Sequence, residues 1–138
     1  MILHCNFEEL RALTSASEAI VADGHAHAGS VAAPPEAVVM VEQLLPRLDG
    51  DMSIETLPDQ RRVHTAVRFI CGDLHRRLDE RIIETHPAEE EAVALYFEYA
   101  HSRTVLHRLD LMAAEMEAIV DLIGGGSPTA GTGVTFPD

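Results

Sequence analysis

The sequence predicts an all-α fold of four helices, dominated by a long antiparallel hairpin over about 57–84 and 87–123. Three observations carry that expectation. The stretch 87–123, PAEEEAVALYFEYAHSRTVLHRLDLMAAEMEAIVDLI, has no Gly or Pro after its opening proline and ends at three glycines. Only Thr85 and His86 separate it from another helix-periodic segment, a link too short for anything but a tight connection between antiparallel helices. Aromatic residues make up 4% of the chain against 46% hydrophobic residues, with no Trp, so the core is built from Leu, Val, Ile and Ala. Such a core suits closely packed helices better than sheets.

Taken in order, the first five residues are short and apolar. Asn6 and Glu9 then form a capping-box pattern, and Phe7, Leu10, Leu13, Ile20 and Val21 recur at helical spacing. This predicts a helix from Phe7 to about Asp23, stopped by Gly24, with a loop over 24–33. Pro34–Pro35 opens a second helix reaching about Leu48, its last turn weakened by Pro46. Val38, Val39, Met40, Val41, Leu44 and Leu45 leave it little polar surface, which predicts deep burial. Asp49-Gly50-Asp51 reads as a turn and lacks the remaining ligands of a calcium loop.

Thr56 and Asp59 offer a second cap, for a third helix from about Leu57 to Glu84. Val63, Val67, Ile70, Leu74, Leu78 and Ile82 would point inward. Arg61, Arg62, Arg68, Arg76, Arg77 and Arg81 would form the other face, with Asp73 set to pair with Arg77. In the fourth helix His86 precedes a proline and is the expected N-cap, Pro87 fits the first turn, and Glu89, Glu90 and Glu91 complement the helix dipole. Gly124 is the expected C′ residue.

The fourth helix carries two apolar stripes. Heptads from Ala92 (Tyr99, Leu106, Ala113, Val120) and from Leu95 (Ser102, Leu109, Met116, Ile123) make one seam, polar only at Ser102. Val93, Phe97, Ala100, Thr104, Leu111, Ala118 and Leu122 make another. Two apolar faces imply packing on two sides, within the chain or across a dimer. Folding the hairpin at 85–86 sets the start of the third helix opposite about residue 113, so the end of the fourth projects by ~15 Å. The apolar Met116, Ile119, Val120, Leu122 and Ile123 in that projection need a partner, which the first two helices or a second subunit can supply.

The sequence thus divides into one helical domain, 1–123, and a Gly/Pro/Ser-rich tail, 124–138. Near the tail's end Val134 and Phe136 suit a docking peptide, or a contact with the N-terminal MILHC stretch.

A formal charge of −13, with all ten basic residues Arg, disfavours nucleic acid and anionic membranes as direct partners. Two isolated cysteines, no basic n-region and no long apolar run point to a soluble cytoplasmic chain. Phosphate loops, nucleophile elbows, CxxC pairs and HExxH are all absent from the sequence.

One chemical pattern stands out. Glu98 and His101 have the Glu-x-x-His spacing of helix-bundle di-iron proteins, and the hairpin register brings Cys71 and His75 toward them. That set would suit Fe or Zn. The full di-iron motif needs two such pairs and two further Glu, and the chain has one pair. His25 and His27, with His4 and Cys5, form a weaker chelate pattern in and near loops.

Two function classes follow. The favoured reading is a non-enzymatic helical interaction protein: a small acidic regulator, adaptor or accessory subunit, forming a homodimer and binding another protein. An acidic mimic of nucleic-acid charge is a sub-case. The alternative is a metal-binding helical bundle, an oxidoreductase using Glu98, His101, Cys71 and His75.

Overall fold

The computed structural model describes residues 1–26, 34–84 and 90–125. The chain is all-α. Its helices are α1 (Phe7–Ala26), α2 (Pro35–Leu44), α3 (Leu57–Glu84) and α4 (Glu90–Val120), with two short strands, β1 (Ile2–Leu3) and β2 (Met52–Ser53). Each helix packs on two neighbours or more: α4 lies against α3 and α1, and α2 closes the bundle between α1 and α3.

Local chemistry sets several boundaries. The capping box at the start of α1 forms in both directions: the Asn6 N–H donates to Glu9 Oε1 and the Glu9 N–H donates to Asn6 Oδ1, each at 2.8 Å. Pro34, in extended conformation, is the N-cap of α2, and Pro35 fits its first turn. Pro46 cannot continue the helix, and the chain tightens into a 3₁₀ turn over Leu45–Arg47. At the start of α3 the Asp59 N–H donates to Thr56 Oγ1 at 3.2 Å, and the Asp59 carboxylate takes a two-pronged contact from Arg47 at 2.8 and 2.9 Å.

The core holds Leu13, Ala16 and Ile20 from α1, Val41 and Leu44 from α2, and Val63, Val67, Ile70 and Leu74 from α3. From α4 it takes Val105, Leu109 and Met112. No aromatic ring belongs to this set.

The short apolar N-terminal segment is a strand: Ile2 pairs with Ser53 and Leu3 with Met52, and Met1 and Ile54 exchange backbone hydrogen bonds at 2.9 and 2.8 Å. Four expectations need correction. Gly24 does not stop α1. A Cβ there would lie 2.6 Å from Val38 Cγ2, so the glycine instead lets α2 approach the α1 backbone. The second helix is buried on one side only, with Val39 48% exposed. Ile82, near the far end of α3, is 45% exposed rather than inward. Finally α4 does not end on Gly124; after Val120 the chain widens into a π-type turn over Asp121–Gly125 that includes it. His86, Pro87 and the tail beyond 125 lie outside the described residues, as do His27 and the expected docking residues Val134 and Phe136.

Among the described residues, no helix is long and apolar enough to cross a membrane.

Candidate functional site

The hairpin forms close to the expected register. Arg81 reaches Glu91 at 3.1 Å, the ring of His75 packs on that of Tyr99 at 5.5 Å, and His64 Nε2 lies 2.6 Å from Asp110 Oδ1. The fully buried Gln60 donates from Nε2 to the Leu109 carbonyl at 3.0 Å, and the same nitrogen lies 3.4 Å from His64 Nδ1. That carbonyl fixes the amide orientation. Gln60 Nε2 is then a donor, so His64 Nδ1 accepts, and its Nε2–H donates to Asp110. Toward the end of α4, Arg61 lies 4.0 Å from Glu117.

A buried carboxylate locks α4 to α1. Glu9, 2% exposed, accepts from Arg108 Nη1 at 2.8 Å and from the Thr104 hydroxyl while it caps its own helix. Arg108 also donates to the His4 carbonyl at 3.2 Å. Burial pushes the Glu9 carboxyl up, but the hydrogen bonds from Arg108, Thr104 and the Asn6 N–H outweigh it and hold the group below its ordinary value. The sequence showed Glu9 as a cap; nothing in its spacing pointed to Arg108, 99 residues away.

With α4 so fixed, its two apolar stripes have different fates. Along the seam, Ala92, Ser102 and Leu109 are buried, as are Val105 and Met112, which the heptad count left out, and Leu95, Tyr99, Leu106, Ala113 and Met116 are partly so. Ser102, the polar position in the seam, is fully buried and its hydroxyl has no hydrogen-bond partner among the described residues. Beyond α3 the same seam emerges into solvent: Ile119 is 44% exposed, Val120 48% and Ile123 81%. The second stripe is largely exposed, although Thr104 turns to Glu9 of α1 and Ala100 is half-buried. Val93, Phe97, Leu111 and Leu122 are 43%, 56%, 59% and 84% exposed. Tyr96 joins Phe97 there in an edge-to-face pair with centroids 5.8 Å apart. A chain with so few aromatic residues places two of them, in contact, on an exposed helix face.

The sequence-derived metal set does not assemble. Glu98 and His101 share a face, as their spacing requires, but that face turns toward α1. Glu98 Oε2 accepts from the Ser15 hydroxyl at 3.3 Å, and both side chains line a shallow cavity of about 230 Å³ with Arg11 and Phe97. Cys71 lies in the core. Burial pushes its thiol up to about 11, against a partial lowering by Arg103, so the thiolate that a metal needs is disfavoured. His75 stands on the exposed side of α3, with Nδ1 3.5 Å from Asp79 Oδ2. Among the described residues no three His, Cys, Asp or Glu side chains converge to hold a metal ion. His4, of the weaker chelate pattern, pairs with Asp51 at 2.9 Å, and the same Asp51 accepts from the Cys5 N–H at 3.0 Å.

Comparison of the chain with protein-family models, curated proteins and solved structures found no match.

Proposed function

We propose that the protein is a non-enzymatic helical interaction protein whose working part is α4, and that it forms a homodimer and binds another protein. The observation carrying this reading is the pair of exposed apolar surfaces on α4: the outer stripe from Val93 to Leu122, and the projecting end with Ile119, Val120 and Ile123, which continues from the half-buried Met116. Exposed clusters of large apolar and aromatic residues on one element mark sites of association.

Two features support a scaffold role for the rest of the molecule. The buried Glu9–Arg108 contact and the Gln60–His64–Asp110 chain fix the rotation of α4, so its outer stripe is presented in one orientation. On α3 acids are tied to an arginine: Arg76 holds Asp73 at 2.7 Å and Glu80 at 2.9 Å. Interleaved Arg and acid also break up the continuous anionic track that a nucleic-acid mimic would need.

A photo-cross-linking residue in place of Ile123, expressed in the source cells, tests the reading, with the same residue at the exposed Glu36 of α2 as control. A discrete adduct at position 123 and none at 36 is the expected result. The absence of any adduct at 123 would overturn the assignment of the projecting end as a contact surface.

A further inference from the structure

The hydrogen-bond chain that ties α3 to α4 has two arrangements, and one proton decides between them. We propose that His64 is a proton-operated latch on α4. Neutral, it keeps the Gln60 amide on the Leu109 carbonyl; protonated, it turns that amide over and releases the carbonyl. The latch does not depend on what α4 contacts, so it stands or falls separately from the interaction reading.

The closed arrangement uses both hydrogens of the Gln60 amide nitrogen. One goes to the Leu109 carbonyl at 3.0 Å, and the other points to His64 Nδ1 at 3.4 Å, which needs a lone pair to receive it. The single proton of the neutral ring is then on Nε2, 2.6 Å from Asp110 Oδ1. Gln60 Oε1 is the loose end. It is buried and has no hydrogen-bond partner among the described residues, an arrangement that costs stability.

A second proton, taken from solvent, goes to Nδ1. That nitrogen becomes a donor facing a donor, and its contact with Gln60 turns repulsive. Half a turn of the amide relieves this, because it brings the unpaired Oε1 to the new N–H. The same turn sets Oε1 against the Leu109 carbonyl, acceptor against acceptor, and the two have to part. A bond between helices is thereby exchanged for one within α3.

Two charges face the ring, with opposite effects. Asp110 of α4, 57% exposed, attracts an imidazolium; the exposed Arg68 of α3, with Nη2 3.3 Å from Nε2, repels it. Among the described residues no charged group of α1 or α2 is bonded to the ring. The His64 side chain is 11% exposed, which places the latch at the rim of the core, within reach of protons from solvent.

The chain has three side-chain amides, Asn6, Gln43 and Gln60, so nitrogen-15 NMR can follow Gln60 directly, with the exposed Gln43 as reference. The ring nitrogens of His64 report its tautomer and charge in the same sample. At pH 8 the ring should carry its proton on Nε2 alone, and the Gln60 amide should exchange at least about tenfold more slowly than that of Gln43. Between about pH 8 and 5, where histidine changes charge, the Gln60 amide and Leu109 carbonyl signals should shift with the midpoint of the His64 ring. Asp110→Asn, at an exposed position, should displace the midpoints together, and His64→Phe should abolish the shifts. A neutral ring protonated on Nδ1, or a ring that stays neutral throughout this range, would overturn the proposal. So would a ring that titrates while Gln60 and Leu109 do not follow, in the parent or in Asp110→Asn.

Discussion

Removing Glu9 tests whether α4 is held in place by the contact described. Glu9 accepts from its own cap, from Thr104 and from Arg108. Glu9→Gln keeps the shape and an acceptor for the Asn6 N–H but removes the charge facing Arg108. Because Arg108 is 40% exposed and can be rehydrated, the loss is held to about 1 kcal/mol. Glu9→Ala also removes the capping acceptor, worth about 1 kcal/mol, and leaves the buried ends of its former partners unmatched. A total of about 2–3 kcal/mol follows, discounted from the ~3–5 kcal/mol of a fully buried pair. For a chain of this size that is a fall in Tm of roughly 6–10 °C. The assay is urea unfolding by far-ultraviolet circular dichroism, in the Leu111→Glu background so that association does not enter. The sign with pH follows from the lowered carboxyl. The charged Glu9 contributes its full stabilisation above the ordinary value of 4.5 and loses it as pH falls through the lower folded-state value. The difference between the parent and Glu9→Gln should therefore be constant near neutrality and shrink in acid. A Glu9→Ala variant within about 0.5 kcal/mol of its parent, the scatter of a neutral surface change, would refute the reasoning. A Gln deficit independent of pH would refute it too.

Two glycines should respond oppositely to alanine. At Gly24 the new Cβ would press on Val38, so Gly24→Ala should cost about 1–3 kcal/mol despite its better helix propensity, with Val38→Ala added alongside restoring part of the loss. At Gly72 nothing lies within 4 Å, and Gly72→Ala should stabilise α3 by about 0.5–1 kcal/mol in the same unfolding assay. Burial pushes the thiols of both Cys5 and Cys71 up to about 11, so a thiol reagent at mildly alkaline pH should label the native protein far more slowly than the unfolded chain. Equal rates would contradict that burial.

The parts of the fold that local chemistry dictates were legible in the sequence. Asn6 and Glu9 sit three apart and formed their capping box; Leu57–Glu84 was bounded by its cap and its apolar period; the tight link after α3 implied an antiparallel hairpin with a projecting end. What escaped depended on tertiary partners. The pairing of Ile2–Leu3 with Met52–Ser53 is too short to show a strand period. Gly24 reads as a stop until Val38 is seen against it. The metal set failed for a related reason: spacing puts Glu98 and His101 on one face but says nothing of how α4 is rotated about its axis. Glu9 and Arg108 fix that rotation, turning Glu98 toward Ser15 of α1. The outer stripe was visible as a pattern, and only the packed bundle shows which of its members, Val93, Phe97, Leu111 and Leu122 among them, stay exposed.

The native mass of the parent chain beside Leu111→Glu, by light scattering at micromolar concentration, tests most directly whether α4's outer face is an interface. Twice the 15.1 kDa chain mass for the parent and the single-chain mass for the variant is the predicted result. The same mass for both, whether one chain or two, would contradict the account.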